Sequence, residues 1–158
     1  MFRRWLENKK GFLHLDVEKP GVVDGYGLAE AWNNLFSSAA STVAFLDASR
    51  QFNRSLAIDW GFPPEYLSIV RQLNEAGVML WWFAADWEVA RRRFKEHGTV
   101  PIQVFDIQLR KIAAALTDIK SLFDSHVVYA LSSTGIYTPP DEIWESMLDT
   151  FAESARQR

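Results

Sequence analysis

The sequence predicts an α/β protein in three layers, with a mostly parallel sheet flanked by helices. Four short apolar runs alternate with segments of helical periodicity, an order typical of parallel sheets. The runs are continuous rather than alternating, which predicts strands that are buried on both faces. The chain has 158 residues and a mass of 18.1 kDa, a length that fits a single domain over residues 1–158.

The predicted strands cover residues 12–16, 55–60, 78–85 and 126–131. The third run has eight apolar residues, far fewer than the ~20 that cross a bilayer, so we expect no membrane segment. Because its aromatic residues fall within a buried strand, we assign them to the core rather than to a surface that stacks bases.

Helical signals precede and follow the first strand. The opening residues 1–9 predict a helix that stops at Gly11, a residue suited to a helix C-terminus. Two amphipathic stretches follow, at residues 28–36 and from about 41 to 52. Helices therefore fill the connection between the first and second strands.

The second half of the chain predicts further helices. Pro63-Pro64-Glu65 begins a helix that ends at Gly77, and Asp86 can cap the next helix, which ends at Gly98. Thr138-Pro139-Pro140-Asp141 loosely matches a capping box before the last helix. One more helix is predicted by an apolar stripe with steps of four and three: Phe105, Leu109, Ile112, Leu116 and Ile119.

Composition excludes several classes of function. The net charge of −3 carries no bulk signal for nucleic acid or for an anionic membrane. The absence of cysteine excludes disulfides, thiolate zinc sites and cysteine nucleophiles. Three histidines, His14, His97 and His126, argue against a histidine-rich metal site. The basic N-terminus is followed by no apolar segment, so we expect no secretory signal and a cytoplasmic location.

Candidate functional residues lie where the predicted strands end, because ligands of parallel α/β sheets bind at the carboxyl edge. Asp16 could accept a proton from a substrate hydroxyl, or it could be a turn or cap residue. Asp59 ends an apolar strand, as does the aspartate that holds Mg²⁺ in nucleoside triphosphatases, although capping of the following turn is an alternative. Ser132-Ser133-Thr134-Gly135 follows the fourth strand.

Three consecutive arginines, Arg91, Arg92 and Arg93, lie on the helix after the third strand. They fan over about 200° of the helix surface, at ~100° for each residue. One or two could therefore grip an anionic ligand, while at least one belongs to a solvated face paired with Glu88 and Glu96. We expect His97 to stabilise the helix C-terminus and His14 to be a satisfied core or interface residue. The sequence contains no GxGxxG, GxxxxGK[ST] or nucleophile-elbow motif.

Taken in order, these segments resemble the P-loop small-molecule kinases, the group of gluconate, shikimate and adenylylsulfate kinases. Residues 12–16 resemble the second strand of that family, and Leu56 to Asp59 resembles the Walker B strand. Residues 78–93 resemble the fourth strand and the helix that leads to an arginine-bearing lid at about 94–108. The resemblance implies ATP and Mg²⁺ as cofactors and a small-molecule substrate. The net charge and the short apolar runs lead us to expect no nucleic-acid partner and no membrane.

The resemblance also implies a role for each candidate residue. Asp16 would face the phosphoryl acceptor, and Asp59 would lie near Mg²⁺. Arg91, Arg92 and Arg93 would neutralise charge on the transferred phosphoryl group. Ser132, Ser133, Thr134 and Gly135 would form the loop beside the adenine.

The sequence departs from this family at its start, where the first strand, the glycine-rich loop and its lysine are expected. In the family that strand is central, so its absence predicts a gap between the second and third visible strands. The chain could be an N-terminally shortened kinase, which we favour. Alternatively, the sheet could close as a non-catalytic module, or a partner could supply the strand. We therefore expect phosphoryl transfer only in an intact form, and little or none by this chain.

The rival hypothesis is a non-enzymatic α/β interaction module, which could be a homo-oligomer. In that case exposed tryptophans would contact a partner, with four candidates: Trp5, Trp32, Trp87 and Trp144.

Overall fold

The computed structural model describes residues 2–38, 40–97, 101–124 and 126–156. It has the predicted α/β character, with parallel strand pairs and many helices. The chain divides into two compact units, residues 1–78 and residues 79–158. Among the described residues, no helix is both long and apolar enough to span a membrane.

Over its described residues, the first unit contains five α-helices and two strands. Its elements in order are α1 (Phe2–Lys10), β1 (Leu13–Asp16), α2 (Val22–Gly25), α3 (Ala29–Asn34), α4 (Ala40–Arg50), β2 (Leu56–Asp59), a 3-10 turn (Pro64–Tyr66) and α5 (Leu67–Glu75). These bounds confirm the predicted helices and strands of this half. The exception is α2, a helix that the sequence analysis did not predict.

Strands β1 and β2 pair in parallel, and their two faces differ sharply. On one face Leu15 is fully buried against a cluster of apolar side chains from the surrounding helices. That cluster contains Val23, Leu28, Trp32, Leu35, Phe45, Ile69 and Leu73. The opposite face carries His14 and Asp16, because side chains alternate along a strand. The expectation that both faces are fully buried is therefore wrong for β1, because His14 and Asp16 are only partly buried.

The second unit contains two strands and four helices. Its elements are β3 (Trp82–Ala85), α6 (Trp87–His97), α7 (Ile102–Ala114), α8 (Leu116–Phe123), β4 (Val127–Leu131) and α9 (Pro140–Arg156). The single helix predicted from the apolar stripe is two helices, because the backbone leaves helical geometry at Ala115 (φ −99°, ψ 8°). Asp86 caps α6 as predicted, accepting a hydrogen bond from the Val89 N–H at 3.0 Å.

Strands β3 and β4 also pair in parallel, with Phe83 opposite Val128. The expectation of complete burial fails here too, because Phe83 is exposed and Trp81 and Trp82 are half-buried. After β4 the chain turns back, and Tyr137 forms an antiparallel bridge with Leu131.

The four strands thus form two separate two-stranded sheets, β1 with β2 and β3 with β4, over the described part of the chain. The single domain over residues 1–158 and the three-layer arrangement stay predictions. The predicted lid at 94–108 contains the end of α6 and the start of α7. Residues 98–100 and the His97 side chain lie outside the described part of the structure.

Candidate functional site

The carboxyl edge of the first sheet brings the two predicted aspartates together. The parallel register pairs Asp16 with Asp59, one residue after Leu15 pairs with Ile58. Both carboxylates therefore lie on the face opposite the apolar cluster, at the end of adjacent strands. The Asp16 side chain is 16% exposed and that of Asp59 is 55% exposed. Asp59 is thus the carboxylate that a solvent-borne group reaches more easily.

Arg3, from the first turn of α1, binds this pair of carboxylates. Its Nη1 donates a hydrogen bond to Asp16 Oδ2 and lies 3.6 Å from Asp59 Oδ2. One guanidinium therefore faces two negative charges. Its side chain is 49% exposed, so it approaches the carboxylates from the solvent side.

His14 lies on the same face as the two aspartates. Its Nε2 is buried, has no hydrogen-bond partner among the described residues and lies 3.7 Å from Asp59 Oδ2. The expectation of a satisfied histidine is therefore wrong. A buried polar atom that has no hydrogen-bond partner lowers the free energy of unfolding.

Mg²⁺ binds oxygen ligands, and the two carboxylates of this edge are of that kind. The described residues contain no group of three or more His, Asp or Glu side chains that could hold a metal ion by themselves. Mg²⁺ bound to a nucleotide needs only one or two protein carboxylates, because phosphates and waters fill the remaining positions. Asp59 fits that limited role, while Asp16 is occupied by Arg3.

The second unit contains the three predicted arginines, and their side chains have different partners. Arg91 forms a two-point pair with Asp106 of α7, with Nε at 2.7 Å from Oδ1 and Nη2 at 3.0 Å from Oδ2. The hydrogen bond from Arg91 is the main cause that lowers the pKa of Asp106, and the same bond raises the pKa of Arg91. Arg91 therefore joins α6 to α7.

Arg93 connects α6 to the predicted loop after β4. Its Nη2 donates to the Gly135 carbonyl oxygen at 2.8 Å, and its Nη1 donates to Glu96 at 3.2 Å. Gly135 has a φ of +84°, which favours glycine, and a Cβ added there would lie 3.6 Å from Arg92 and Arg93. The structure thus brings together two groups that the sequence placed 42 positions apart.

Hydrogen bonds of two hydroxyl groups stabilise the conformation of the loop at residues 132–135. The Ser132 and Thr134 hydroxyls lie 2.8 Å apart, and Ser132 Oγ accepts the Ile136 N–H at 3.0 Å. The Gly135 N–H donates to the Ser132 carbonyl at 2.9 Å, which closes a tight turn. Ser132, Ser133 and Thr134 are exposed, so their polar groups face solvent next to the arginines.

Arg92 differs from its two neighbours. It is exposed, its Nη2 lies against Gly135, and it has no hydrogen-bond or ion-pair partner among the described residues. Of the three arginines it is the one whose guanidinium remains available to an anion.

The sequence analysis did not single out Arg3 or Asp106. Neither lies in a recognisable pattern, because each acts on a residue 13 or 15 positions away in the chain. The only available signal for Arg3 was its place in the helix next to the first strand.

Comparison with protein-family models, with curated proteins and with solved structures found no match for this chain.

Proposed function

We propose that this protein is a relative of the P-loop small-molecule kinases. In a form that includes a phosphate-binding loop, it transfers a phosphoryl group from ATP to a hydroxyl of a small molecule. The proposal is carried by the register that places Asp16 and Asp59 side by side at the carboxyl ends of parallel strands. The 158 residues contain no glycine-rich phosphate loop, so alone they bind ATP weakly and turn over little or not at all.

The pairing of the strands supports the proposal. If a central strand belongs between the second and third visible strands, β1 should pair with β2 and β3 with β4, both in parallel. Both of these parallel pairs occur.

The two aspartates take different roles in this proposal. Asp16 accepts a hydrogen bond from the acceptor hydroxyl, and its carboxylate either removes the proton or orients the oxygen. Asp59 would hold Mg²⁺, which supplies charge neutralisation at the transferred phosphoryl group when it is bound. Arg3 must release part of its contact with Asp16 before a hydroxyl can approach, so the observed pair is a resting arrangement.

The arginines of α6 also take different roles. Arg92, which has no partner among the described residues, is the one that binds a phosphate oxygen. Arg91 and Arg93 are positioning residues, since their guanidinium groups bind Asp106 and the Gly135 carbonyl. Ser132 and Thr134 shape the loop and offer hydroxyls to the nucleotide.

The first test concerns the 158-residue chain itself. A calorimetric titration of the chain with Mg-ATP should show no saturation in the micromolar range. Micromolar affinity would contradict the assignment of the phosphate cradle to residues outside this sequence. An in-frame GxxxxGK[ST] segment in the DNA upstream of the Met1 codon would support the proposal, and an in-frame stop codon directly upstream would oppose it.

The second test uses a longer form, if that upstream segment exists. Phosphorylation of a panel of small polyols is measured with ATP. Asp16→Asn should lower kcat by about 10²–10⁴-fold, the usual contribution of a general base. Arg92→Gln should lower kcat, while the control Asp118→Asn, on the exposed surface of α8, should leave it unchanged. Equal activity of all variants would exclude these roles.

An interaction module is the second candidate, and one observation favours it. Large apolar side chains are exposed on β4 and the turn that follows: Tyr129 is 69% exposed, Ile136 is 70% exposed and Tyr137 is 53% exposed. Of the four tryptophans named for this role, Trp87 is exposed, Trp32 is buried, and Trp5 and Trp144 are half-buried. Tyr129, Ile136 and Tyr137 are therefore better candidates for a contact surface than the three tryptophans that are not exposed.

Gel filtration separates the two candidates. A discrete oligomer that dissociates on Tyr129→Ser or Ile136→Ser favours the module. A monomer, or a monomer that aggregates, favours the kinase relative.

A further inference from the structure

A cavity of about 230 Å³ opens at the amino-terminal edge of the first sheet, away from Asp16 and Asp59. Its apolar wall is formed by Leu46 of α4, Leu56 at the start of β2 and Val78 after α5. Its polar wall is formed by Arg50 and Arg54. The cavity lies entirely within the first unit.

Two arginines line this cavity, and none of the lining residues is acidic. Arg50 is paired with Asp47, which lies outside the lining, whereas Arg54 has no acidic partner among the described residues. Two carbonyl groups near the end of α5 accept hydrogen bonds from the backbone N–H groups that follow. The Gly77 N–H donates to Asn74 O at 2.9 Å, and the Val78 N–H donates to Leu73 O at 2.9 Å.

Arg54 is held in place by the backbone. Its Nε donates to the Gly11 carbonyl oxygen at 2.8 Å, and its Nη2 donates to the Phe12 carbonyl oxygen. Its Nη1 has no partner among the described residues. The guanidinium is therefore oriented before any ligand arrives, which lowers the entropic cost of binding.

Arg50 offers a second, less constrained guanidinium. Its Nη1 binds Asp47 one turn earlier in α4, and its remaining N–H groups have no partner in the described ranges. Two guanidinium groups next to one apolar wall suit a ligand that is negative at one end and apolar at the other.

We propose that this cavity binds a small monocarboxylate with a compact apolar body. A planar guanidinium matches a carboxylate through two parallel hydrogen bonds. An enclosed apolar cavity of about 150 Å³ holds benzene. The open cavity here has about 230 Å³, which leaves the carboxylate of a ring-sized ligand at its mouth beside the arginines. The site is independent of the proposed phosphoryl transfer, because it uses none of the residues assigned to that function.

The test uses benzoate as the probe and the full chain labelled with ¹⁵N. Benzoate should cause saturable shifts of the amide signals of residues 49–50 and 76–78. Benzamide, which has the same shape without the charge, should bind at least about tenfold more weakly than benzoate. Inorganic phosphate, which lacks the ring, should also bind at least about tenfold more weakly. Arg50→Gln should weaken benzoate binding about tenfold. The matched control Arg71→Gln, on the exposed surface of α5, should not.

Three results would overturn the proposal. One is the absence of saturation at ~10 mM benzoate, ten times the dissociation constant of a millimolar site. Another is equal binding of phosphate or benzamide, which would mean that charge alone or the apolar wall alone is recognised. The third is an equal loss of binding in the Arg71 variant. Arg50 is the residue substituted because it is exposed, whereas Arg54 binds the Gly11 and Phe12 carbonyl groups before β1.

Discussion

Arg3 should stabilise the first unit through its contact with the two aspartates. A pair of unit charges about 4 Å apart is worth about 4 kcal/mol at an effective dielectric constant of 20. Arg3 is 49% exposed, so solvent reduces this value, whereas Asp16 is only 16% exposed, which preserves part of it. We therefore expect a coupling free energy of about 1–2 kcal/mol between Arg3 and Asp16.

A double-mutant cycle measures this coupling. Urea denaturation, followed by tryptophan fluorescence, is recorded for the wild type, Arg3→Met, Asp16→Asn and the double variant. The same cycle with Arg4→Met is the control, because Arg4 is exposed on the same helix and pairs with no described residue. The Arg3 coupling should decrease in 1 M salt. A coupling no larger than that of Arg4 would refute the bridged pair of carboxylates, and with it the proposed resting arrangement.

Three further predictions test packing, backbone and charge. Phe45→Ala removes a fully buried ring and should cost about 3–5 kcal/mol in urea denaturation, whereas Val43→Ala, 57% exposed on the same helix, should change stability by less than about 0.5 kcal/mol. Gly135→Ala should cost about 1 kcal/mol, because an alanine is strained at a φ of +84°. Arg91 lowers the pKa of Asp106, so the pair contributes stability above the ordinary aspartate pKa of about 3.9, and this contribution is lost as the pH falls toward the lowered pKa. The stability difference between wild type and Asp106→Asn, measured by thermal unfolding, should be constant above about pH 5 and shrink in acid; a difference independent of pH would contradict this assignment.

Much of the candidate site follows from local patterns. An apolar run that ends in an aspartate marks both a buried strand and its carboxyl edge, so Asp16 and Asp59 could be predicted to lie at the same edge of a sheet. The three arginines could likewise be predicted to fan around one helix, because their angular spacing is a property of helical geometry. The structure confirms both placements.

Partners of the charged side chains could not be predicted in the same way. Arg91, Arg92 and Arg93 are chemically identical in the sequence, and their roles differ only because Asp106 and Gly135 meet two of them. His14 was expected to have a hydrogen-bond partner, yet its Nε2 has none among the described residues. Which partner a long side chain reaches depends on elements that pack from distant parts of the chain.

The strands also have some features that the sequence predicts and others that it does not. Periodicity along 158 residues is sufficient for the α/β class and for the approximate place of each strand, because these depend on neighbouring residues. It is insufficient for the partial burial of His14 and Asp16 on β1 and for the exposure of Phe83. These features depend on which elements cover each face of a sheet, and that is set by long-range packing rather than by the residues of the strand.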